Sequence, residues 1–417
     1  MNTQKESSQN LVDMTKGIYL DNNTATRPSD QAVAKMLPFL TERWGVPSMP
    51  HQVGQQLVPA VEDALRGIYA LVGAKETDDI IFTSSNAEGI NHVILSTYFD
   101  VTVHTGKNQF ITSTIDEAPS ILAIGRLEQL SCVGKMAKAD KHGVVTVDSI
   151  AEAMNPRTAL VSLSWANGLT GVVNPIQEIA ALCKERGVRL HIDASHVLGR
   201  LFYEWEEVPS HFLTFSGDNI HAPSGTGGLF IRGDTKSSPF ILGGAEQGGH
   251  RAGAYSVAGL VALGQAAREA IDARDLMCTE VARLRAKLED GIMAQIPDAI
   301  PFFRHQERLP HCTAIGFPGV SNEALLYSLN RKGVYASIGG GTCQQIALIL
   351  IASGVEELLA HSAVSFSLSR ETTEDDIDRA VDIIADNVKR LRKVSSHLLK
   401  DCPDVQINSE QPLKGEK

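Results

Sequence analysis

The sequence of 417 residues lacks several features that identify particular classes of protein. It has no block of basic residues, and 38 Lys and Arg against 49 Asp and Glu leave a formal net charge of −11, which argues against nucleic acid or an anionic membrane as the main partner. No apolar run approaches the roughly 20 residues that a membrane span needs. The first sixteen residues are polar and lack the apolar core of a signal peptide. We therefore expect a cytoplasmic protein that binds neither nucleic acid nor membrane.

Paired cysteines are also missing. The six cysteines are scattered, and none forms a Cys-x-x-Cys pair with another. Their spacing argues against a disulfide framework or a thiolate zinc site, and it fits a reducing cytoplasm. His191, Asp193 and His196 have the residue types of a metal site, but no further histidine or carboxylate cluster follows at ligand spacing. We expect no metal.

Short β-branched runs alternate with helical stretches over the first 264 residues. The predicted strands are Asp79–Thr83, Gln109–Thr112, Leu160–Ser164, Arg189–Asp193, Phe212–Ser216 and Gly228–Arg232, after a first short strand in Gly17–Asp21. Helices are predicted near 54–73, 87–98, 117–129 and 176–187. This alternation predicts an α/β fold with a mostly parallel sheet covered on both faces, in which ligands bind beyond the carboxyl ends of the strands.

The alternation stops near Gly264, where a long charged helical stretch from Gln265 to about Gln295 begins. Beyond it the pattern predicts a smaller α+β domain, with strands at 313–317, 334–336 and 363–367, a helix at 323–330 and a final helix that starts in the capping box at Thr373. The predicted division is a polar segment at 1–16, a large α/β domain at 17–264, a small C-terminal domain at 265–400 and a mobile tail at 401–417.

Four loops carry side chains that suit chemistry: 83–87, 191–196, 216–219 and 339–343. The first joins a strand to a helix, where free amides and hydroxyls can hold an anion. Each loop has an alternative explanation, because Ser, Asn and Asp at strand ends often serve only as helix caps. Cys343 follows three glycines, and it is either a thiol presented to a cleft or a small buried apolar residue.

A series of motifs resembles the NifS-type cysteine desulfurases of the class V aminotransferase family. The motifs, in chain order, are Tyr19–Arg27, Trp44–Ser48 with His51 and Gly54, Phe82–Ser84 with Glu88 and Asn91, Ser164–Asn167 with Gly171 and Asn174–Pro175, His191–Asp193, Gly243–Gly253 and Phe366–Asp378. The resemblance covers roughly residues 17 to 396. It implies the fold-type I aminotransferase architecture, with a mostly parallel sheet of the seven-stranded type and a smaller C-terminal domain. It also implies a homodimer that uses pyridoxal phosphate to take sulfur from L-cysteine.

Several positions keep the residue that the resemblance implies or a group that can take its place. Asp193 matches the carboxylate that holds the pyridine nitrogen protonated. His196 stands where a glutamine usually faces the phenolic oxygen of the cofactor, and its imidazole can still offer a hydrogen bond. Cys343 falls at the persulfide position. Further cofactor-binding candidates are Asn167, Ser216, Ser85 and Asn86.

Other positions depart from the family pattern. Asn219 stands where the lysine that binds the cofactor is expected, and no lysine occurs between Lys184 and Lys236. Glu117 replaces the histidine that stacks on the cofactor ring, and its negative charge would repel the carboxylate of the substrate. The remaining changes affect the phosphate and the substrate carboxylate: Ala87, Asp218 and Ala254 stand at phosphate-binding positions, and Ser365 stands where an arginine is expected.

Three functions follow from these matches and departures. The first is a non-desulfurating homologue that binds or regulates, as a homodimer or with sulfur-transfer or iron–sulfur assembly partners, and that holds pyridoxal phosphate weakly and without a covalent bond if it binds the cofactor at all. The second is an active desulfurase or related lyase that transfers sulfur to Cys343. The third is an unrelated reaction built on Cys343, His196 and Asp193.

Overall fold

The computed structural model describes residues 17–203, 205–340 and 344–400, without the side chains of 395–400. The predicted polar segment 1–16, the predicted tail 401–417 and Cys343 lie outside these residues. The strands of the described chain are β1 (Ile18–Tyr19), β2 (Asp79–Thr83), β3 (Gln109–Ser113), β4 (Val133–Ala137), β5 (Thr158–Ser164), β6 (Arg189–Asp193), β7 (Phe212–Ser216), β8 (Gly227–Ile231), β9 (Ile300–Pro301), β10 (Cys312–Gly316), β11 (Val334–Tyr335), β12 (Gly339–Gly340), β13 (Gln344–Gln345) and β14 (Ala363–Ser367).

The helices connect and cover these strands. Over the same residues they are α1 (Asp30–Met36), α2 (Pro38–Thr41), α3 (Gln52–Gln55), α4 (Val58–Val72), α5 (Asn86–Thr97), α6 (Val103–Thr105), α7 (Ala118–Leu127), α8 (Val147–Ala153), α9 (Ile176–Glu185), α10 (Val257–Asp272), α11 (Arg274–Leu276), α12 (Ala282–Gln295), α13 (Asn322–Asn330), α14 (Ile346–Ala352), α15 (Glu357–Ala360) and α16 (Glu374–Lys400). Within the described residues, no helix combines the length and apolar composition that crossing a bilayer requires.

A seven-stranded sheet in the order β2-β8-β7-β6-β5-β3-β4 forms the centre of the fold. The pairs from β7 to β4 are parallel, and β8 pairs antiparallel with both β7 and β2. The predicted mostly parallel sheet is confirmed. In the register of β5, β6 and β7, Ser164 pairs with Asp193, and Asp193 pairs with Thr214. The carboxyl ends of the three central strands therefore meet at one edge of the sheet.

Apolar side chains cover the sheet on both faces, because successive residues of a buried strand point in opposite directions. Leu160 of β5 packs with Ile90 of α5 and Ile124 of α7 on one face. The next residue, Val161, packs in the core that includes Ile68 of α4 and residues of α9 and α10 on the other face. This two-sided covering leaves the strand ends and their loops as the place where polar side chains can gather.

The contact between α4 and α10 depends on glycine. A Cβ atom at Gly264 would lie 2.4 Å from the Cα atom of Ala64, and a Cβ atom at Gly67 would lie 2.7 Å from the carbonyl oxygen of Gly264. The two helix backbones can approach this closely only without side chains at these positions.

A second core lies beyond α10. It combines side chains of β10, β14, α12, α13 and α16, with Phe317, Phe366 and Ile384 fully buried. The helical stretch predicted from Gln265 to Gln295 is confirmed: it runs through α10, α11, a π-helical turn at Met277–Val281 and α12, with only Ala273 outside a helix, and it ends at Gln295. The helix begins earlier than predicted, at Val257. The side chains of α10 join the first core and those of α12 the second. The domain boundary at 264 stays a prediction.

Candidate active site

A cavity of about 290 Å³ lies beyond the carboxyl ends of the central strands. Its lining comes from loops that are distant in the sequence but meet at this edge of the sheet. The lining residues are Asn23, Thr24, Ser85, Asn86, Ile115, Asp116, Glu117, Asn167, Gly168, Leu169, His196, Ser216, Asp218, Asn219, Gly339, Gly340, Gln344 and Ile349. The cavity thus brings together eight of the residues singled out from the sequence: Ser85, Asn86, Glu117, Asn167, His196, Ser216, Asp218 and Asn219.

The turn between β2 and α5 supplies Ser85 and Asn86. Ser85 caps α5, and its hydroxyl oxygen accepts a hydrogen bond from the backbone N–H of Glu88 at 3.4 Å. The side-chain amide of Asn86 donates to Oδ2 of Asp193 at 3.1 Å. Both side chains therefore already have protein partners, and Asn86 lies between the cavity and Asp193.

Asp193 ends β6 and is 4% exposed. Its Oδ1 accepts hydrogen bonds from the backbone N–H of Ser195 at 3.0 Å and from the Ser195 hydroxyl at 2.5 Å. Burial raises the pKa of Asp193, the Ser195 hydrogen bonds oppose that rise, and the Glu117 carboxylate adds to it. Asp193 touches the site through Asn86 and is not among the side chains that line the cavity.

Glu117 and His196 both line the cavity and contact each other. Nε2 of His196 lies 3.3 Å from Oε1 of Glu117, and the two side chains are 11% and 19% exposed. Since an ionised carboxylate only accepts hydrogen bonds, Nε2 is the donor in this pair. Nδ1 of His196 is buried and has no hydrogen-bond partner among the described residues. The imidazole that was expected to serve a cofactor is thus committed to Glu117.

Asp116, next to Glu117, also lines the cavity and did not emerge from the sequence. Its carboxylate accepts hydrogen bonds from the Thr112 hydroxyl at 2.9 Å and from the backbone N–H groups of Ser113 at 2.8 Å and Ser164 at 2.7 Å. Burial raises its pKa, and these hydrogen bonds oppose the rise. Asp116 holds the end of β5 against the start of the 115–117 loop.

The end of β7 places Ser216, Asp218 and Asn219 on the cavity. The hydroxyl of Ser216 donates to Oδ1 of Asp218 at 2.6 Å. The carbonyl of Asp218 accepts from the backbone N–H and the hydroxyl of Thr26, both at 2.7 Å. The amide of Asn219 donates to the carbonyl of Asn23 at 2.8 Å. Asn219 is a buried hydrogen-bonding residue, 5% exposed, that ties the loop to the N-terminal turn.

Arg200 is buried next to the loops that carry Asn219, Asn22 and Asn23. Its guanidinium donates to the carbonyls of Asn219 at 2.7 Å and Asn22 at 3.3 Å, and to Oδ1 of Asn23 at 3.0 Å. Burial lowers the pKa of Arg200 to about 10. Oδ1 of Asn23 also pairs with Nε2 of His311 at 2.7 Å. No sequence motif marks Arg200, because the carbonyls that it joins belong to separate loops.

The other predicted residues use their side chains within the protein or do not line the cavity. Asn167 lines the cavity, but its side-chain amide donates to the carbonyl of Ile115 and its side-chain oxygen accepts from the backbone N–H groups of Leu169 and Thr170. Ser365 is 2% exposed in β14, and its hydroxyl donates to the carbonyl of Leu169 at 2.7 Å. Ala87 and Ala254 are not among the lining residues. Cys343 follows Gly340 outside the described residues.

The His191–His196 segment does not form a metal site. Nδ1 of His191 pairs with the Ser162 hydroxyl at 2.8 Å, and Nε2 pairs with the Thr214 hydroxyl at 2.9 Å. Burial lowers the pKa of His191 to about 3. Across the described ranges, no three His, Cys, Asp or Glu side chains are grouped so as to hold a metal ion. His191 is a core histidine that joins three neighbouring strands.

The fold and the position of the cavity define a protein of fold-type I aminotransferase architecture. A family model described as aminotransferase class-V matches residues 18–380. A cysteine desulfurase of Nostoc sp. is 36% identical over 382 residues, which cover 91% of this chain and 94% of that protein. The cysteine desulfurase NifS of Azotobacter vinelandii is 35% identical over 387 residues, covering 91% and 94%.

A solved structure described as a NifS-like protein superposes with a TM-score of 0.84 at 26% identity, covering 90% of this chain and all of that one. The chain therefore belongs to the class V aminotransferase family and is similar to its cysteine desulfurases.

Pyridoxal phosphate is the cofactor of this family, and the cavity fits it poorly. None of the lining residues is a lysine, and Lys236 lies elsewhere, 69% exposed with Nζ 3.6 Å from Asp100. The Ser216 hydroxyl donates to Asp218, so a carboxylate already takes a donor that a phosphate would need. Asn86 and Ser195 occupy both oxygens of Asp193. The residues present do not fit a covalently held pyridoxal phosphate.

Proposed function

We propose that this chain is a non-desulfurating member of the class V aminotransferase family that uses the fold for binding or regulation. The observation that carries the proposal is Asn219. At the position that the resemblance assigns to the cofactor lysine, the chain has an amide that cannot form a Schiff base. In the structure this amide bonds to the carbonyl of Asn23, and no lysine is among the described residues that line the cavity.

The charges around the cavity support the same proposal. Its lining includes the carboxylates of Asp116, Glu117 and Asp218 but no lysine or arginine. Pyridoxal phosphate brings negative charge, L-cysteine brings a carboxylate as well as an ammonium, and like charges in a partly buried site repel. Ser365, at the position of the expected arginine, is bonded to the carbonyl of Leu169 and offers no cation. Both the cofactor and the substrate of a desulfurase are therefore disfavoured.

We further propose that any pyridoxal phosphate binds weakly and without a covalent bond. The chain is proposed to work in the cytoplasm as a homodimer, with sulfur-transfer or iron–sulfur assembly proteins as partners. The dimer is proposed because the glycine-rich segment 243–253 resembles the segment that crosses the dimer interface in the family. Within the chain, Arg251 of this segment pairs with Glu88 at 2.9 Å, and Gln247 bonds the backbone of Phe82 on the edge strand β2.

The second candidate is an active desulfurase or related lyase that uses Cys343. Two observations favour it: the similar proteins are named cysteine desulfurases, and Asp193 is kept at the end of β6. This candidate requires cofactor chemistry in a site where Asn219 replaces the lysine and where Asp218 and Glu117 add negative charge.

The deciding experiment is to purify the full chain with added pyridoxal phosphate and to measure both its absorption and sulfide release from L-cysteine. We expect no absorption band of a lysine-bound cofactor, no sulfide above that of the Cys343→Ala variant, and no borohydride-reduced cofactor on the 204–236 peptide. A yellow protein that releases sulfide in a Cys343-dependent manner would refute the proposal. A reduced adduct on Lys236 would show that a different lysine has been recruited.

A further inference from the structure

One corner of the cavity already contains an anion that belongs to the protein. The carboxylate of Asp218 accepts the Ser216 hydroxyl at 2.6 Å and lines the cavity beside Asn219. The backbone of Asp218 is fixed, because its carbonyl accepts two hydrogen bonds from Thr26. Asp218 therefore uses a donor that would otherwise serve a bound anion, and it holds a negative charge at that corner.

Two neighbouring side-chain amides also donate within the protein. The Asn86 amide donates to Asp193, and the Asn219 amide donates to the carbonyl of Asn23. The Ser85 hydroxyl oxygen accepts from the first turn of α5, which fills the helix terminus with a cap. A phosphate entering this corner would have to displace hydrogen bonds within the protein and approach Asp218.

The other carboxylates of the cavity lining have the same sign. These are Asp116 and Glu117, and the one imidazole among the lining residues, His196, pairs with Glu117. The guanidinium of Arg200 is buried and donates to the carbonyls of three loop residues. With no lysine or arginine among its lining residues, the cavity offers charge compensation to a cation and none to an anion.

We propose that the cavity binds a small, phosphate-free organic cation, an amine or an amidine, and that Asp218 is the residue that excludes phosphate. This inference rests on the proposed function, since a desulfurase would need the phosphate. A volume of about 290 Å³ suits a small molecule rather than a peptide. Glu117 and Asp218, which each have one side-chain hydrogen bond to another described residue, supply the acceptors for such a ligand.

The test uses two probes that differ only in the phosphate: pyridoxamine, which is a phosphate-free amine, and pyridoxamine 5′-phosphate. Their binding to the full chain is measured by titration calorimetry, for the unmodified protein, Asp218→Asn and Glu152→Gln. Asp218→Asn removes the charge and keeps an oxygen that can accept from Ser216. Glu152→Gln is the matched control, because it removes one carboxylate from the exposed side of α8, away from the cavity lining.

We expect the unmodified protein to bind pyridoxamine at least about tenfold more tightly than its phosphate, since one member adds two negative charges beside Asp218. Asp218→Asn should weaken pyridoxamine binding and strengthen binding of the phosphate, and so reduce or reverse the ratio. Glu152→Gln should leave both affinities unchanged.

The inference is overturned if the phosphate form binds more tightly to the unmodified protein, if neither probe binds, or if Asp218→Asn changes both affinities by the same factor. These outcomes are distinct from failure of the proposed function, which sulfide release and a borohydride-reduced lysine adduct detect. If the chain releases no sulfide but binds the phosphate form more tightly, the proposed function stands and only the inference about Asp218 fails.

Discussion

Asn219→Lys should give the chain a cofactor-binding lysine without restoring desulfuration. The folding cost of the substitution is small. It removes the Asn219–Asn23 hydrogen bond of 2.8 Å, which contributes about 0.5–1.5 kcal/mol, while the backbone carbonyl of residue 219 keeps its bond to Arg200. We therefore expect a folded variant that turns yellow when pyridoxal phosphate is added, because the lysine can capture the aldehyde.

The phosphate and substrate sites remain defective in that variant. Ala87 and Ala254 lack the two hydroxyls that the family pattern places near the phosphate, and a charge-assisted hydrogen bond contributes about 1.5–3 kcal/mol. Losing two such bonds costs about 3–6 kcal/mol, or roughly 10²- to 10⁴-fold in affinity. Ser365 offers the substrate carboxylate a neutral hydroxyl where an arginine would bind with two hydrogen bonds. Turnover should therefore stay undetectable.

The assay is a stepwise series. Absorption and sulfide release are measured for Asn219→Lys alone, then with Asp218→His, and then with Glu117→His and Ser365→Arg added. We expect colour at the first step and sulfide only at the last, and Cys343→Ala in the final variant should abolish the sulfide. Substantial turnover from Asn219→Lys alone would refute the reasoning, since it would show that the carboxylates around the cavity do not impede cysteine or its cofactor.

Three further predictions concern the folded chain itself. Arg200→Met removes the donor from the carbonyl oxygens of residues 22, 196 and 219, so it should lower the free energy of unfolding by at least about 3 kcal/mol in urea titrations, and a loss below about 1 kcal/mol would contradict the assigned role. Burial lowers the pKa of His191 to about 3, so below pH 6.5 this residue takes up a proton in the unfolded chain but not in the folded chain. The free energy of unfolding should therefore fall by about 2 kcal/mol from this group between pH 7 and pH 5. His191→Gln should make the free energy of unfolding less dependent on pH. Light scattering at micromolar concentration should give twice the mass of one 417-residue chain, and the mass of a single chain would count against the homodimer.

The central strands could be predicted from the sequence because each is a short, fully buried run between turn residues. The bounds of β2, β6 and β7 agree with the prediction at both ends. β4 was missed for a physical reason. It lies at the edge of the sheet, most of its side chains are exposed, and its sequence Val133-Gly-Lys-Met-Ala137 therefore shows no apolar run or alternation.

The site was predictable where a motif supplies the residue and unpredictable where packing chooses its partner. Ser85, Asn86 and Asn219 emerged as candidates because they follow strands. Nothing local indicates that the Asn86 amide bonds Asp193, which is 107 residues away, or that Asn219 bonds Asn23. The pairing of Glu117 with His196 likewise depends on two loops that meet only when the sheet forms. The identities of the changed residues are in the sequence, but the partners that they have acquired are not.

The guanidinium of Arg200 makes the loops around the cavity independent of any ligand. A site built to hold a prosthetic group usually leaves polar groups that only the group can satisfy, so the empty protein is strained or loose there. Here one buried side chain joins the carbonyls of residues 22, 196 and 219. The loops are thereby held in place from below, on the side away from the ligand. Loops held by Arg200 in this way should keep their positions whether or not a ligand is bound.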